Sequence, residues 1–303
     1  MPLTLTILGS SSALPTSEKF TSAHVLNVHE ELFLIDCGEC TQIRIRQLKF
    51  HFVKFNHIFI SHLHGDHFFG IFGLLSTFHL LSRKNELHIY SFPELKEIIN
   101  NTNKIFGQEF SFPIIFHNLQ NKKSEVIYND EKLEITSFPL NHRIPTCGFV
   151  FREKPKSRNI IKEKIKEYNI PVCEIQKIKN GSDFTTTDGQ IILNAQLTIA
   201  PKKPRSYAYC SDTLYAPEIV PYIKGVNLLY HEATFLDNFI ERATSTFHST
   251  AKQAAEIAKK AYVEKLIIGH YSVRYKKLDE FLVEAKKVFP ETYLALDGLK
   301  FNV

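Results

Sequence analysis

A strand predicted over Asn56–Ser61 leads directly into the stretch Ser61-His62-Leu63-His64-Gly65-Asp66-His67, which places three imidazoles and one carboxylate within six positions. In an extended turn, His62 and His64 point the same way and can reach one metal ion, whereas Asp66 and His67 can reach a second. Gly65 permits the backbone bend that this requires. Imidazoles and carboxylates without a thiolate favour zinc, with manganese or iron as alternatives. The stretch therefore predicts a metal site rather than a solvated polar loop.

Further ligands are expected, because the side chains of this stretch cannot saturate two metal ions. His142 follows a predicted strand over Leu133–Phe138, Asp212 follows Tyr207–Cys210, and His270 follows another strand and a glycine. An α/β sheet presents its functional loops at such strand ends. Taken singly, each of these residues is more often a capping aspartate or a hydrogen-bonded histidine than a metal ligand. Together with the first cluster, they complete a set of five histidines and two aspartates.

Two metal ions a few ångströms apart predict hydrolysis, because they lower the pKa of a bridging water and clamp the attacked phosphoryl or acyl oxygen. Asp66 is expected to orient or deprotonate that water. The leaving alkoxide then needs a proton from a general acid. The candidates are side chains in two later segments, His231, Glu232 and His248.

Strands alternate with helices along most of the chain, which is typical of an α/β protein. His24–Val28 and Glu31–Asp36 are expected to pair as a hairpin across the polar turn at His29-Glu30. A helix over Thr250–Ala261 has Ser249 or Thr250 as its predicted cap. The other predicted strands are Leu3–Leu8, Leu87–Tyr90, Leu228–His231 and Lys265–Ile268, and the other predicted helices are Thr41–Leu48 and Gly70–Leu81.

Residues 152–206 differ in composition from the rest of the chain. Both ends of the segment are basic, and its middle is polar with few apolar residues from which to build a core. A short amphipathic helix is predicted over Asn159–Tyr168, with Ile160, Ile161 and Ile165 on one side. The segment is therefore interpreted as an insertion or projecting arm on the main domain.

The composition is that of a globular protein, with 44% hydrophobic and 23% charged residues in a chain of 303. The net charge of +5 is only a weak lean toward anionic partners. The five cysteines include one close pair, Cys37 and Cys40, which is expected to be two packed thiols rather than a redox or zinc motif. With no leader and no apolar stretch long enough to span a bilayer, a reduced, cytoplasmic protein without membrane contact is expected.

The ligand pattern resembles that of the metallo-β-lactamase superfamily, and within it the ribonuclease Z family of tRNA 3′-processing endonucleases. The superfamily signature corresponds to His62-Leu-His64-Gly-Asp66-His67 with the later ligands His142, Asp212 and His270. Further blocks resemble ribonuclease Z and follow the family's order over nearly the whole chain. They are Leu34-Ile-Asp36-Cys-Gly-Glu39, Asn141-His-Arg143, Tyr209-Cys-Ser-Asp212-Thr213, His231-Glu-Ala-Thr-Phe235, His248-Ser-Thr-Ala251, Gly269-His-Tyr-Ser-Val-Arg-Tyr275 and Ala295-Leu-Asp-Gly298.

The resemblance implies a single α/β domain over residues 1–303, folded as a metallo-β-lactamase-like four-layer αβ/βα sandwich. It implies two zinc ions per subunit at the edge of the two sheets, with manganese as the alternative metal. By the same resemblance, His248 is the acid that protonates the leaving 3′-oxygen, and Glu232 orients it. Arg274 is expected to meet a substrate phosphate.

The family also projects a flexible arm that grips tRNA away from the catalytic centre, and residues 152–206 stand in its place. Basic side chains there suit phosphate contact. The named candidates are Lys156, Arg158, Lys177 and Lys179. Two positions depart from the family's pattern: Ile170-Pro171 is not followed by a Gly-Pro turn, and Cys40 stands where a glycine is usual.

These observations predict a zinc-dependent endoribonuclease that removes the 3′ trailer from precursor tRNA, with a 3′-hydroxyl left on the tRNA and a 5′-phosphate on the trailer. The resemblance adds a homodimer as the expected assembly. One alternative is a related two-metal phosphodiesterase that acts on other phosphodiesters. Another is a non-catalytic RNA-binding or scaffold protein with a relic site, against which the complete ligand set argues.

Overall fold

The computed structural model describes residues 2–107 and 109–303. Contacts within the chain divide it into two compact units. The larger unit comprises the residues up to Asn129 together with Ile135–Phe151 and Arg205–Val303. The smaller, called the inserted unit below, comprises Asp130–Glu134 and Arg152–Pro204. Among the described residues, no helix is both long and apolar enough to cross a membrane.

The first sheet of the larger unit has seven strands in the order β18-β1-β2-β3-β4-β5-β6. They are β1 (Leu3–Gly9), β2 (Ala23–Val28), β3 (Glu31–Ile35), β4 (Phe55–Phe59), β5 (Leu87–Ser91), β6 (Ile114–Asn118) and β18 (Lys300–Asn302). The expected hairpin of β2 and β3 is confirmed. Its turn residues His29 and Glu30 have φ of 52° and 76°, and this left-handed pair suits the twist of the two strands.

The second sheet also has seven strands, in the order β17-β16-β15-β14-β9-β8-β7. They are β7 (Glu125–Asn129), β8 (Leu133–Pro139), β9 (Cys147–Glu153), β14 (Ser206–Cys210), β15 (Leu228–Glu232), β16 (Lys265–Gly269) and β17 (Thr292–Leu294). The last four run parallel to one another. Their carboxyl ends therefore meet at one edge of the sheet, where the following loops can converge.

Aromatic side chains fill the space between the two sheets. The ring of Phe59 in β4 lies 5.6 Å from that of Phe149 in β9, and the His24 ring in β2 lies 4.3 Å from that of Tyr230 in β15. Large rings bury much apolar area per residue and pack well edge to face. The inner layer therefore joins the two sheets face to face.

Helices cover the outer faces of both sheets and complete four layers, the αβ/βα sandwich that the sequence predicts. Apolar side chains of α1, α3 and α4 pack on the first sheet, and those of α8, α10 and α11 pack on the second. The helices of the larger unit are α1 (Thr41–Gln47), α2 (Gly65–Phe68), α3 (Gly70–Leu80), α4 (Glu94–Phe106), α8 (Val220–Ile223), α9 (Ile240–Thr246), α10 (Ala251–Lys260) and α11 (Asp279–Lys286). Thr250 caps α10 in a reciprocal capping box with Gln253, which confirms one of the two predicted caps.

The inserted unit has a small core of its own, so the expectation that it lacks the residues for one was wrong. Its buried apolar side chains are Ile170, Ile178, Phe184, Ile192 and Leu197. Its helices are α5 (Lys162–Glu167), α6 (Val172–Lys179) and α7 (Asn194–Leu197), and its strands are β10 (Asn159–Ile160), β11 (Phe184–Thr185), β12 (Ile191–Ile192) and β13 (Thr198–Ile199).

The helix predicted over Asn159–Tyr168 was wrong in its first part. Asn159 and Ile160 pair with β13, which lies much later in the chain, and the helix begins only at Lys162. Local periodicity cannot reveal a strand partner that is distant in sequence. The backbone hydrogen bonds of that remote pairing replace those of a first helical turn.

All five cysteines are free thiols. Cys37 is fully buried, and burial raises the pKa of its thiol, so a packed thiol is confirmed at this position. Cys40 is only partly buried, and its φ of 67° places it in the left-handed region just before α1. Glycine adopts this conformation without steric cost, which explains physically why a glycine is usual here.

Candidate metal centre and active site

The predicted ligands come together at one edge of the larger unit. His62 follows β4, His142 follows β8 and Asp212 follows β14. His270 follows β16, while Asp66 and His67 lie in the short helix α2. Each segment ends a strand of one of the two packed sheets or lies directly after one, so the backbone of the fold holds the site.

The first group of ligand atoms comprises His62, His64, His142 and Asp212. The Nδ1 atom of His64 lies 3.1 Å from Nε2 of His62 and 3.1 Å from Nε2 of His142. Oδ2 of Asp212 lies 3.5 Å from Nε2 of His62 and 3.8 Å from Nε2 of His142. Four ligand atoms at these separations can surround one tetrahedral cation.

The second group comprises Asp66, His67 and His270, and the other carboxylate oxygen of Asp212 faces it. The Nε2 atoms of His67 and His270 are 3.3 Å apart, and Oδ2 of Asp66 lies 3.3 Å from Nε2 of His270. Oδ1 of Asp212 lies 3.4 Å from His67 Nε2 and 3.3 Å from His270 Nε2. Asp212 therefore stands between the two groups, in the position of a bridging carboxylate.

Asp36 fixes the orientation of His67 from behind. Nδ1 of His67 donates to Oδ2 of Asp36 at 2.8 Å, which turns Nε2 of the ring into the second group. The same carboxylate accepts hydrogen bonds from the Ser61 backbone N–H at 2.7 Å and from the Tyr209 hydroxyl at 2.6 Å. Asp36 is fully buried. Burial acts to raise the pKa of its carboxyl, but the charge of His67 lowers it below the usual value.

The outer nitrogens of two other histidines are also occupied. Nδ1 of His142 donates to the backbone oxygen of Phe247 at 2.9 Å, so its Nε2 faces inward without a proton. Nδ1 of His270 lies 2.9 Å from the hydroxyl of Thr234, which itself donates to the Glu232 carboxylate at 2.8 Å. The Thr234 oxygen must therefore accept from His270, and the inner nitrogen of His270 keeps its lone pair.

The charges and unpaired atoms of the site fit metal ions. Oδ1 of Asp212 is buried and makes no hydrogen bond in spite of the two nearby ring nitrogens. Burial acts to lower the pKa of His67, yet the carboxylates of Asp212, Asp66 and Asp36 raise it well above the usual value. Inward lone pairs, an unpaired carboxylate oxygen and a field that favours positive charge all suit a bound cation.

Glu232 and His248 form a pair beside this cluster, and a ring nitrogen of His248 also lies within 4.8 Å of ligand atoms of Asp212 and His270. Nδ1 of His248 lies 3.0 Å from Oε1 of Glu232, at the end of β15. Burial acts to lower the pKa of His248, but the charge and hydrogen bond of Glu232 raise it to about 9. Glu232 is fully buried and also accepts from the backbone N–H groups of Ser249 and Thr234. The pair therefore presents a protonated imidazole next to the ligands.

Three residues of the site have backbone in the left-handed region. Asp36, Phe247 and His270 have φ of 55°, 60° and 62°. Such conformations are costly for residues other than glycine and are kept where the surrounding contacts determine them. Here they aim a supporting carboxylate, a carbonyl that fixes His142, and a ligand imidazole.

The expected reason for Gly65 was wrong. Its φ does not lie in the positive range where glycine is required. Instead, a Cβ built at this position would lie 2.3 Å from a ring carbon of Phe69. In this arrangement the Phe69 ring occupies the space that a side chain at position 65 would take.

Only some of the predicted site residues line the same cleft. A cleft of about 560 Å³ is lined by ligand residues and by several neighbours, including His248. Arg274 is not among the lining residues, and its guanidinium lies 5.1 Å and 5.2 Å from the rings of Phe235 and Phe239. His231, the other candidate acid, is buried and bonds through Nδ1 to its neighbour's carbonyl at 2.7 Å, so it does not face this cleft.

The four basic candidates of the insertion lie in the inserted unit. Lys156 and Lys177 are exposed, and Nζ of Lys177 donates to Glu174 at 2.8 Å. Nε of Arg158 donates to the Thr198 hydroxyl at 2.6 Å, which ties this arginine to β13. The backbone oxygen of Lys179 accepts from the Arg158 N–H at 3.0 Å.

Two supporting residues were not given a role by the sequence. Asp36 and Thr234 each hold the outer nitrogen of a ligand histidine. Both lie in sequence blocks that resemble the family, so the sequence indicated that these segments matter. Their roles could not be predicted, because their hydrogen bonds join segments far apart in the chain. A buried aspartate directly after an apolar strand is the one local signal that could have identified Asp36.

Comparisons with known proteins cover the whole chain. A family model described as "Anti-Pycsar protein Apyc1" matches residues 3–155, which contain the ligands from His62 to His142. A ribonuclease Z of Bacteroides fragilis is 48% identical over 97% of both chains, and one of Phocaeicola vulgatus is 48% identical over 98% of this chain and 96% of its own. The chain belongs to the ribonuclease Z family.

Solved structures agree with the family at the level of the fold. The short form of human tRNase Z is 27% identical, with a TM-score of 0.72, and the match covers 99% of this chain and 98% of the human one. The metallo-β-lactamase fold protein YhfI of Bacillus subtilis has a TM-score of 0.71 at 19% identity, covering 100% and 99% of the two chains. The chain thus has the metallo-β-lactamase fold with two seven-stranded sheets.

Proposed function

We propose that this chain is the endoribonuclease that removes the 3′ trailer from precursor tRNA, leaving a 3′-hydroxyl on the tRNA and a 5′-phosphate on the trailer. The observation that carries the proposal is the arrangement of the Glu232–His248 pair against two adjoining ligand groups. A member of the ribonuclease Z family with this arrangement has both a place for the cations and a separate proton donor.

We assign His62, His64 and His142 to one zinc ion, Asp66, His67 and His270 to a second, and Asp212 to both. When bound, the two cations would supply an activated water and polarise the attacked phosphate. Manganese satisfies the same nitrogen and oxygen donors and is the alternative metal.

Asp66 is assigned to orient the attacking water and to accept its proton. Burial acts to raise the pKa of its carboxyl, but the interactions with His67 and His270 lower it below the usual range, so the group is ionised. Its Oδ2 atom accepts from the backbone N–H of Ala13 at 2.8 Å. That bond holds the carboxylate beside the ligand imidazoles while it receives a proton.

His248 is assigned to give a proton to the leaving 3′-oxygen. Its Nδ1 is occupied by Glu232, so Nε2 is the atom left to donate. Glu232 makes the protonated form prevail at neutral pH because its carboxylate is 3.0 Å away and buried. Without this proton the leaving alkoxide would depart as a strong base.

Contacts with the body of the tRNA are assigned to the inserted unit. Lys156, Arg158, Lys177 and Lys179 place positive charge on that unit, which suits phosphate contact. Arg274 is kept as a candidate for a phosphate near the cleft. A homodimer, as the resemblance implies, and a cytoplasmic location complete the proposal.

The direct test is cleavage of a 3′-extended precursor tRNA by the purified protein, with its metal content measured in parallel. We expect a cut after the discriminator nucleotide that is lost with a chelator and restored by added zinc or manganese. Absence of a metal-dependent cut at that place would refute the proposal. A second arm of the test compares an enzyme lacking residues 155–200, which should lose precursor tRNA turnover but keep hydrolysis of a small phosphodiester.

A further inference from the structure

Phe69 is a large aromatic residue left exposed beside the ligands. It directly precedes α3, its side chain is 53% exposed, and it lines the same cleft as His64, Asp66 and His248. Exposing such a ring has a cost, since each square ångström of apolar surface removed from water stabilises the fold by about 25 cal/mol. A residue that serves only the core would be turned inward.

Its neighbour already fills the structural role. Phe68 is 5% exposed and belongs to the core cluster under the first sheet, and its ring meets that of Phe69 at 4.9 Å in an edge-to-face arrangement. The Phe69 ring also rests against Gly65, which has no side chain to displace it. The ring is thus held by two contacts at the mouth of the cleft and keeps exposed surface there.

The cleft has a second apolar wall residue in Leu14. This side chain is 59% exposed and belongs to the loop after β1. The loop is tied to the site because the Ala13 N–H donates to Oδ2 of Asp66 at 2.8 Å. Leu14 and Phe69 are therefore both fixed to the segment that carries Asp66, so each has a set position relative to the phosphate under attack.

We propose that Phe69 stacks on a nucleobase next to the scissile phosphate, with Leu14 as an apolar contact to the same nucleotide. This rests on the proposed function. The chemistry follows from the substrate, because every base has a flat face that stacks on an aromatic ring regardless of its identity. Such a contact places the phosphate without restricting which trailer sequence is accepted.

The stacked base belongs either to the discriminator nucleotide or to the first trailer nucleotide, and the experiment distinguishes them. Cleavage rates are measured with precursor tRNA that is intact, abasic at the discriminator, or abasic at the first trailer position. The enzymes are the unaltered chain, Phe69→Leu and Phe69→Tyr. Phe106→Leu serves as the matched control, because Phe106 is 73% exposed in α4 and is not among the residues that line the cleft.

We expect Phe69→Leu to lower kcat/KM on the intact precursor by about tenfold to a hundredfold, since stacking on one base contributes about 1–3 kcal/mol. Phe69→Tyr, which keeps the ring, should restore most of the loss. One of the two abasic substrates should be cleaved slowly by the unaltered enzyme and no more slowly by Phe69→Leu. That substrate identifies the stacked nucleotide.

Equal loss from Phe69→Leu on all three substrates would overturn the inference and assign the ring a structural role against Gly65. The same conclusion follows if neither abasic substrate slows the unaltered enzyme, a result that does not depend on any variant folding. Failure of the unaltered enzyme to cut the intact precursor would instead refute the proposed function, so the two failures are distinguishable.

Discussion

Two groups of histidines in the larger unit have opposite arrangements. At the strand ends, ring nitrogens of His64 and His142 approach to 3.1 Å with their lone pairs turned toward a carboxylate. Within β4, β5 and β6, the rings of His57, His88 and His117 are stacked instead, with centroids 5.0 Å and 5.3 Å apart. Both groups bring imidazoles close together, but only the first is arranged around a common point.

The difference lies in what surrounds the rings. The ligand group encloses Asp212 and Asp66 among its imidazoles. In the stack, the carboxylates near the rings are Glu31, 3.6 Å from His57, and Glu86, 3.7 Å from His88, and the two side chains are 36% and 60% exposed. Among the described residues, none of the sets of three or more converging ligand atoms contains a histidine of the stack. Histidines on neighbouring strands thus form a packed layer unless buried carboxylates converge with them.

The largest effect is expected from replacing Asp212, the buried carboxylate that lies between the two ligand groups and has no counterpart in the histidine stack. Asp212→Asn should lower kcat on precursor tRNA by about a thousandfold or more, because the bridging charge contributes several kcal/mol of electrostatic stabilisation. Metal content should fall in parallel. Asp297→Asn is the matched control: this half-buried carboxylate accepts from Ser10 and Phe20 and should retain the metal. Normal metal content and activity in Asp212→Asn would contradict the bridging role.

His248→Ala tests whether every histidine at the strand ends is a ligand. We expect metal content to remain unchanged while kcat falls by about 10²- to 10⁴-fold, the usual contribution of a positioned general acid. Metal analysis and single-turnover cleavage on the same preparation provide the measurement. Parallel loss of metal and activity would instead place His248 among the ligands.

Asp36→Asn examines the support behind the ligand group. The amide keeps the size of the carboxylate but weakens its hold on Nδ1 of His67, so metal affinity should fall by about 10- to 100-fold. Competition with a chromophoric chelator measures the affinity, and circular dichroism checks the fold. Unchanged affinity would show that His67 is oriented by other contacts.

The alkaline limit of the reaction should depend on Glu232. A general acid acts only while protonated, so activity is present below the pKa of His248, which Glu232 raises to about 9, and is lost as pH rises through it. Glu232→Gln removes the charge and should move the alkaline limb of kcat/KM to lower pH by about one to three units. If the alkaline limb of kcat/KM stayed at the same pH in Glu232→Gln, the group that titrates there would not be His248.

Local sequence was sufficient to predict which candidate ligands converge and insufficient for their supports. His62, His64 and Asp66 lie close enough in the chain for their spacing to indicate chemistry, and the strand ends of His142 and Asp212 could be predicted from apolar runs. The hydrogen bonds of Asp36 and Thr234 connect different strands, so no local pattern shows them. Left-handed backbone at Phe247 is equally invisible, because phenylalanine rarely adopts it.

The same limit explains the errors in detail. The helix expected over Asn159–Tyr168 was wrong only in its first residues, because β10 pairs with a strand that is remote in sequence. Gly65 was assigned to a backbone bend because glycine most often serves that purpose, whereas its real constraint is the ring of Phe69. The deciding contact is tertiary in the first case, whereas in the second it involves a ring only four residues further along the chain.

The smallest effect is expected in the stacked group. His88 and His117 are joined by a hydrogen bond of 3.0 Å, and within the part of the chain that the structure describes neither belongs to a set of three converging ligand atoms. Replacing both by phenylalanine keeps two stacked rings and loses about 1 kcal/mol for the bond. Metal content and precursor cleavage should therefore change by less than about twofold, within the scatter expected for sites far from the chemistry. A loss of bound metal in His88→Phe/His117→Phe would show that histidines without converging carboxylates also hold a cation, and the distinction between the two groups would fail.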